Sequence, residues 1–142
     1  MKSKKGKRVA TVLGATFGAS LMLITQASAW SGDWNGPGGG GGGDITFSSN
    51  TTASWDFTIV DTHKDGFCTR AKIIVDRPNW SDVPRYQTNY ACGYQQGVRW
   101  KSSYSTTGGT KMRSLKIEQC ILHSDGDDEV CQEQVRVYNP KY

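Results

Sequence analysis

The chain has 142 residues, of which 36% are hydrophobic and 21% charged, with a formal net charge of +4. That length suits one domain with a modest core behind a leader segment. The excess positive charge sits almost entirely in that leader, which removes the usual basis for binding nucleic acid or an anionic membrane.

Lys2, Lys4, Lys5, Lys7 and Arg8 open the chain, an apolar run follows from Val9 to Ile24, and Thr25-Gln-Ala-Ser-Ala29 closes the segment. A basic start, an apolar middle and an Ala-x-Ala exit are the three parts of a secretory signal peptide. The run falls short of the ~20 apolar residues a membrane span needs, and Gly14, Gly18 and Ser20 dilute it. Residues 1–29 are therefore expected to be cleaved, leaving 113 residues with no membrane span. The mature chain then carries 12 basic residues against 13 acidic ones, a net of −1. The expected destination is secreted or extracellular, with the long basic and apolar regions fitting a Gram-positive-type bacterial export signal.

Residues 30–44 run Trp30-Ser-Gly-Asp-Trp34-Asn-Gly-Pro37, then six glycines and Asp44. Polyglycine has the most backbone entropy to lose and no side chain to bury, so this stretch predicts a disordered tether. It is no phosphate loop, because no Gly-Lys-Ser/Thr follows. Trp30 and Trp34 at its head read as solvated or tucked onto the domain ahead of any anchoring role.

The domain is expected over 45–142. Ile45–Phe47 is a short strand. In Ala53–Val60, Trp55, Phe57 and Ile59 alternate with Asp56 and Thr58, the period of a half-buried strand. Phe67–Val75 continues the pattern, with Phe67, Ala71, Ile73 and Val75 expected inward and Cys68, Arg70 and Lys72 outward. A loop framed by Pro78 and Pro84 carries Trp80. Tyr86–Tyr94 then places Tyr86, Tyr90, Cys92 and Tyr94 on one strand face, and Val98–Tyr104 alternates again. Met112–Leu122 and Glu129–Val137 form a hairpin about Asp125-Gly126, a strong turn signal. No helical period appears after the leader. About seven short strands at close spacing predict an all-β fold, a small antiparallel β-sandwich of Ig-like or barrel-like form.

Four cysteines in an exported chain predict two disulfides. The hairpin favours Cys120–Cys131, which leaves Cys68–Cys92. Spacings of 24, 28 and 11 residues, with no Cys-x-x-Cys, argue against zinc. The hairpin contains a conflict: a regular ladder pairing the two cysteines would set Ile117 opposite Gln134. A bulge near Gln132-Glu133 would turn Val135 and Val137 inward and keep the cysteines adjacent.

Catalytic patterns are sparse. His63 and His123 each precede an Asp by two residues in a turn. They suggest at most a small secreted ribonuclease or toxin with Glu118, Glu129 or Glu133 as partner. There is no Gly-x-Ser-x-Gly. Asp125, Asp127, Asp128 and Glu129 crowd carboxylates as calcium would want, yet without the spacing of a calcium loop. No cofactor is implied. The aromatics are more telling: Tyr86, Tyr90 and Tyr94 read first as the core of one sheet, since buried tyrosines are common in small sandwiches, and otherwise, with Trp80, as a surface for a polysaccharide or an extracellular protein. The sequence thus favours a non-catalytic interaction module at or outside the cell envelope, with a carbohydrate- or cell-wall-binding module as the alternative.

Overall fold

The computed structural model describes residues 29–123 and 129–142. Nine strands occur among them: β1 (Trp30–Gly36), β2 (Gly39–Phe47), β3 (Thr52–Asp61), β4 (Cys68–Asp76), β5 (Val83–Tyr86), β6 (Ala91–Cys92), β7 (Gly97–Ser105), β8 (Ser114–Leu122) and β9 (Val130–Tyr138). They build two antiparallel sheets. The first has the order β1-β2-β3-β7; the second has β5-β4-β8-β9, with β6 also paired to β4. No helix among the described residues is long and apolar enough to cross a membrane.

The expected alternation holds where side chains can express it. Trp55, Phe57 and Ile59 of β3 are buried, as are Ala71, Ile73 and Val75 of β4 and Leu115 and Ile117 of β8. These faces meet in one core cluster that draws on both sheets. Trp55 meets Trp100 of β7 edge-on at 5.2 Å between centroids, and Phe57 meets Trp34 at 5.3 Å. Edge-to-face geometry suits the ring quadrupoles and adds about 0.5–1.5 kcal/mol per pair beyond burial.

The polyglycine stretch is not a tether. It forms most of β2, a central strand paired to β1 on one side and β3 on the other. The sheet begins at Trp30 rather than near Ile45. Pro37-Gly38 makes the two-residue turn into β2, with Gly38 at φ 72°, as the second central position of a type II turn requires. Trp34 pairs across the ladder with Gly41 and lies over it, so a Cβ on Gly41 would fall inside the indole. The strand has no side chains of its own there, and the neighbouring Trp supplies the missing apolar cover, a known rescue of glycine in sheets. Trp34 is buried and Trp30 packs beside it at 6.2 Å.

The Tyr86–Tyr94 strand also differs from expectation. It is two short pieces, β5 and β6, separated by a tight segment around Gln87. Gln87 is buried and substitutes for a strand partner: its N–H donates to Ala71 O and its Oε1 accepts from Ala71 N. With the added β1, this break raises the strands from about seven to nine.

Both disulfides are present, Cys68–Cys92 and Cys120–Cys131, and no described cysteine is free. Such bonds fit an oxidising, extracellular-type compartment. Cys120 stands opposite Cys131 in the β8–β9 ladder, while Ile117 stands opposite Val135 and Glu118 opposite Glu133. Gln134 is therefore the extra residue, and the bulge turns Val135 and Val137 onto the core. The Asp125-Gly126 turn and residues 1–28 of the expected 1–29 signal segment lie outside the described residues.

Candidate functional site

The side of the second sheet that faces away from the core carries the chemistry. Strand parity sends Thr69, Ala71, Ile73 and Val75 inward, so Cys68, Arg70, Lys72 and Ile74 stand outward. Register carries the same face across Glu118 and Cys120 of β8 to Glu133, Arg136 and Tyr138 of β9. Tyr86 stands opposite Lys72.

Arg70 organises one end. Its Nε and Nη2 hold the two carboxylate oxygens of Glu129 at 2.6 Å each. Its Nη1 donates to Gln87 O at 3.4 Å and Tyr90 Oη at 3.1 Å. Four of the five guanidinium N–H groups thus have protein partners. The rings of Tyr86 and Tyr90 lie 4.8 and 5.0 Å from the guanidinium carbon, within cation–π range. The bidentate bonds to Glu129, against the cost of burial, raise the Arg70 pKa further. Arg70 is so fully engaged that it does not read as a free anion receptor; it fixes two tyrosine rings. The ladder of β5, the Gln87 bonds and the Cys68–Cys92 bridge stitch the tyrosine segment to β4.

Tyr86, Tyr90 and Tyr94 are 45, 40 and 45% exposed, and Trp80 is 64% exposed. The single tyrosine row expected from Tyr86–Tyr94 is not formed, because the strand breaks at Gln87. Tyr86 and Tyr90 gather on Arg70, whereas Tyr94 lies over Lys64 at 4.5 Å. Trp80 belongs to a separate group at the far end. It lines a recess of about 240 Å³ with Tyr142 and Lys111. Asn79, with φ 65°, and the Arg77 guanidinium on Ser81 O shape its loop.

Between the two ends the face is laced with ion pairs. Lys72 meets Glu118 at 3.1 Å, Lys116 meets Asp82 at 3.3 Å, Arg113 meets Asp76 at 2.8 Å and Arg136 meets Glu133 at 3.0 Å. With Arg70–Glu129 that is five pairs and no net charge. Burial works against the Asp76 carboxylate, but the Arg113 and Ser114 hydrogen bonds outweigh it and hold the pKa below the ordinary value. Arg136 does the same for Glu133.

The remaining candidates are not brought together. Glu129 gives both carboxylate oxygens to the Arg70 guanidinium; Asp125, Asp127 and Asp128 lie outside the described residues. Glu129 comes within 4.8 Å of the Cys120 and Cys131 sulfurs, but those sulfurs are bonded to each other and offer no thiolate. His63 Nδ1 meets the Thr62 hydroxyl, and Asp61 accepts from the His63 and Gly93 backbone N–H groups. His123 packs its ring on Phe67 at 4.3 Å, lining an apolar hollow of about 270 Å³. Neither imidazole hydrogen-bonds a carboxylate among the described residues.

Sequence reasoning missed the part played by Arg70, and it missed Tyr138 and Tyr142. The outward parity of Arg70 beside Cys68 was a usable signal. The two C-terminal tyrosines gave none, because their neighbours come from loops distant in the chain. Family models, curated proteins and solved structures yield no match for this chain.

Proposed function

We propose that this protein is a secreted, non-catalytic binding module that acts at or outside the cell envelope through its exposed aromatic face. We read its two sheets as a small β-sandwich that serves as the scaffold. The observation that carries the proposal is the pair Tyr86 and Tyr90, held by Arg70 while each keeps close to half its surface in solvent. Exposed rings with fixed orientation give large contact area at little entropic cost on binding. Polysaccharide of the cell wall or surroundings is the ligand class we favour, since planar rings flanked by hydrogen-bonding groups suit sugar faces.

The test is retention of the purified mature protein on insoluble cellulose, chitin, xylan, starch and bacterial cell wall. Retention on at least one, reduced tenfold or more in Tyr86→Ala/Tyr90→Ala, is the expected result. No retention on any of them, or equal retention by the double variant, would overturn the carbohydrate reading.

A further inference from the structure

We infer that the outer face of the second sheet binds a neutral, linear polysaccharide laid diagonally from the Tyr86–Tyr90 pair to Tyr138 and the Trp80–Tyr142 recess. This rests on the reading of Tyr86 and Tyr90 as a contact surface, and adds the ligand's charge, its length and its second anchor.

The second anchor follows from register. Tyr138 stands opposite Ser114, which stands opposite Asp76, so its side chain shares the outward face with Lys72 and Tyr86. At 66% it is the most exposed large apolar side chain among the described residues, and Tyr142, four residues further along the chain, is 57% exposed. Arg113, paired to Asp76, also accepts through its carbonyl from the N–H of Asn139, the residue after Tyr138. Trp80 and Tyr142 then share the recess. Tyr86 and Tyr138 thus lie at opposite corners of one face, and Trp80, in the loop that joins β4 to β5, stands at the Asp76 end of it. Tyr86 is at the level of Lys72 on β5; Tyr138 is at the level of Asp76 on β9, four residues along and three strands across. With about 3.3 Å per residue and about 4.8 Å between strands, the anchors are about 20 Å apart. A single sugar ring cannot touch both; a chain of several can.

The charge follows from pairing. Among the described residues, the basic side chains on the strands between the anchors, Arg70, Lys72, Lys116 and Arg136, each have a carboxylate partner, so that stretch presents hydrogen-bonding groups without net charge. An anionic polymer would need free cations, which the described residues of this face do not hold between the anchors. The cations without a carboxylate partner gather at the recess end, Lys111 in its lining, Arg77 on Ser81 O in the Trp80 loop and Lys141 on Ser48 O beside Tyr142, so the paired, uncharged stretch is the one between the anchors. A neutral, hydroxyl-rich chain meets the paired groups without leaving a buried charge uncompensated.

The experiment uses the whole mature protein and isothermal titration with cello- and chito-oligosaccharides of two and six units, with polygalacturonate as the anionic probe. Variants are Tyr138→Ala, Tyr138→Trp and Tyr86→Ala, each checked for unchanged thermal midpoint, as fits exposed sites. Expected results are six-unit binding at least tenfold tighter than two-unit binding, tenfold loss in Tyr138→Ala, and recovery in Tyr138→Trp. Binding lost in Tyr86→Ala but unchanged in Tyr138→Ala would overturn the diagonal site and leave the general reading standing. Tighter binding to polygalacturonate would overturn the neutral ligand. Failure to bind any polysaccharide, insoluble or soluble, would remove both.

Discussion

Trp34 Nε1 donates a 2.8 Å hydrogen bond to Gln119 Oε1, joining β1 of one sheet to β8 of the other through the protein interior. Gln119 Nε2 passes a further bond to Thr69 Oγ1, which donates to Cys120 O at 2.9 Å. This buried relay fastens the N-terminal strand to the disulfide-bonded sheet. It also explains why a glycine strand is ordered: Trp34 covers Gly41 and has a fixed partner beyond it.

Trp34→Ala should therefore cost about 3–5 kcal/mol, the range for deleting a large buried aromatic. Gln119→Leu should cost about 1–3 kcal/mol by leaving the indole N–H unpaired in the interior. Gly41→Val should displace the Trp34 ring and destabilise the fold. Combined with Trp34→Ala it should cost less than the sum of the two, because the ring it clashes with is gone. Urea denaturation with tryptophan fluorescence reads all of these, and strict additivity of the pair would contradict the packing described.

The two disulfides close loops of different length. Replacing either pair by serine should cost about 3 kcal/mol, with the 24-residue Cys68–Cys92 loop slightly ahead of the 11-residue Cys120–Cys131 loop on the chain-entropy account. Removing Cys68–Cys92 should also loosen the Tyr86–Tyr90 segment. Thermal denaturation measures the first effect, and amide exchange of residues 83–92 measures the second.

Arg70→Lys keeps the charge but loses the bidentate grip on Glu129 and the bond to Gln87 O, since an ammonium is a point donor without the planar fork. A loss of about 1–2 kcal/mol is expected for this partly shielded pair. The Tyr86 and Tyr90 ring resonances should shift toward free-tyrosine values in aromatic NMR spectra. Unchanged ring shifts would show that Arg70 does not hold them.

Asp76 sets an acid limit. Its folded pKa lies below the ordinary value of 3.8, so the bonds from Arg113 and Ser114 stabilise the fold above that pH. The contribution is lost as pH falls through the lower folded value. Asp76→Asn should cost about 1–3 kcal/mol at neutral pH, and the gap from the parent should close below about pH 4. A gap that stays constant down to pH 2, followed by urea denaturation, would refute this account.

Much of this molecule was legible in local pattern. Period-two alternation placed the inward faces of β3, β4, β7 and β8, because burial on one face of a strand depends only on residue parity. Both cysteine pairings followed from the hairpin and elimination. The disagreement between Cys120–Cys131 and the Val135–Val137 face pointed to a bulge, found one residue beyond Gln132-Glu133 at Gln134. Other features had no local signature. Polyglycine has no side chains to form a pattern, so the order of β2 depended on Trp34, whose fixed partner Gln119 is 85 residues away. Gln87 broke a regular alternation by mimicking a strand partner with its own amide. The aromatic face came from register across four strands, which set Tyr86, Arg70 and Tyr138 on one side. The sequence by itself determined an all-β, two-disulfide chain with aromatic residues in its loops and edges. Only the tertiary structure decided which rings share a surface, because that depends on contacts between segments whose separation along the chain carries no periodic information.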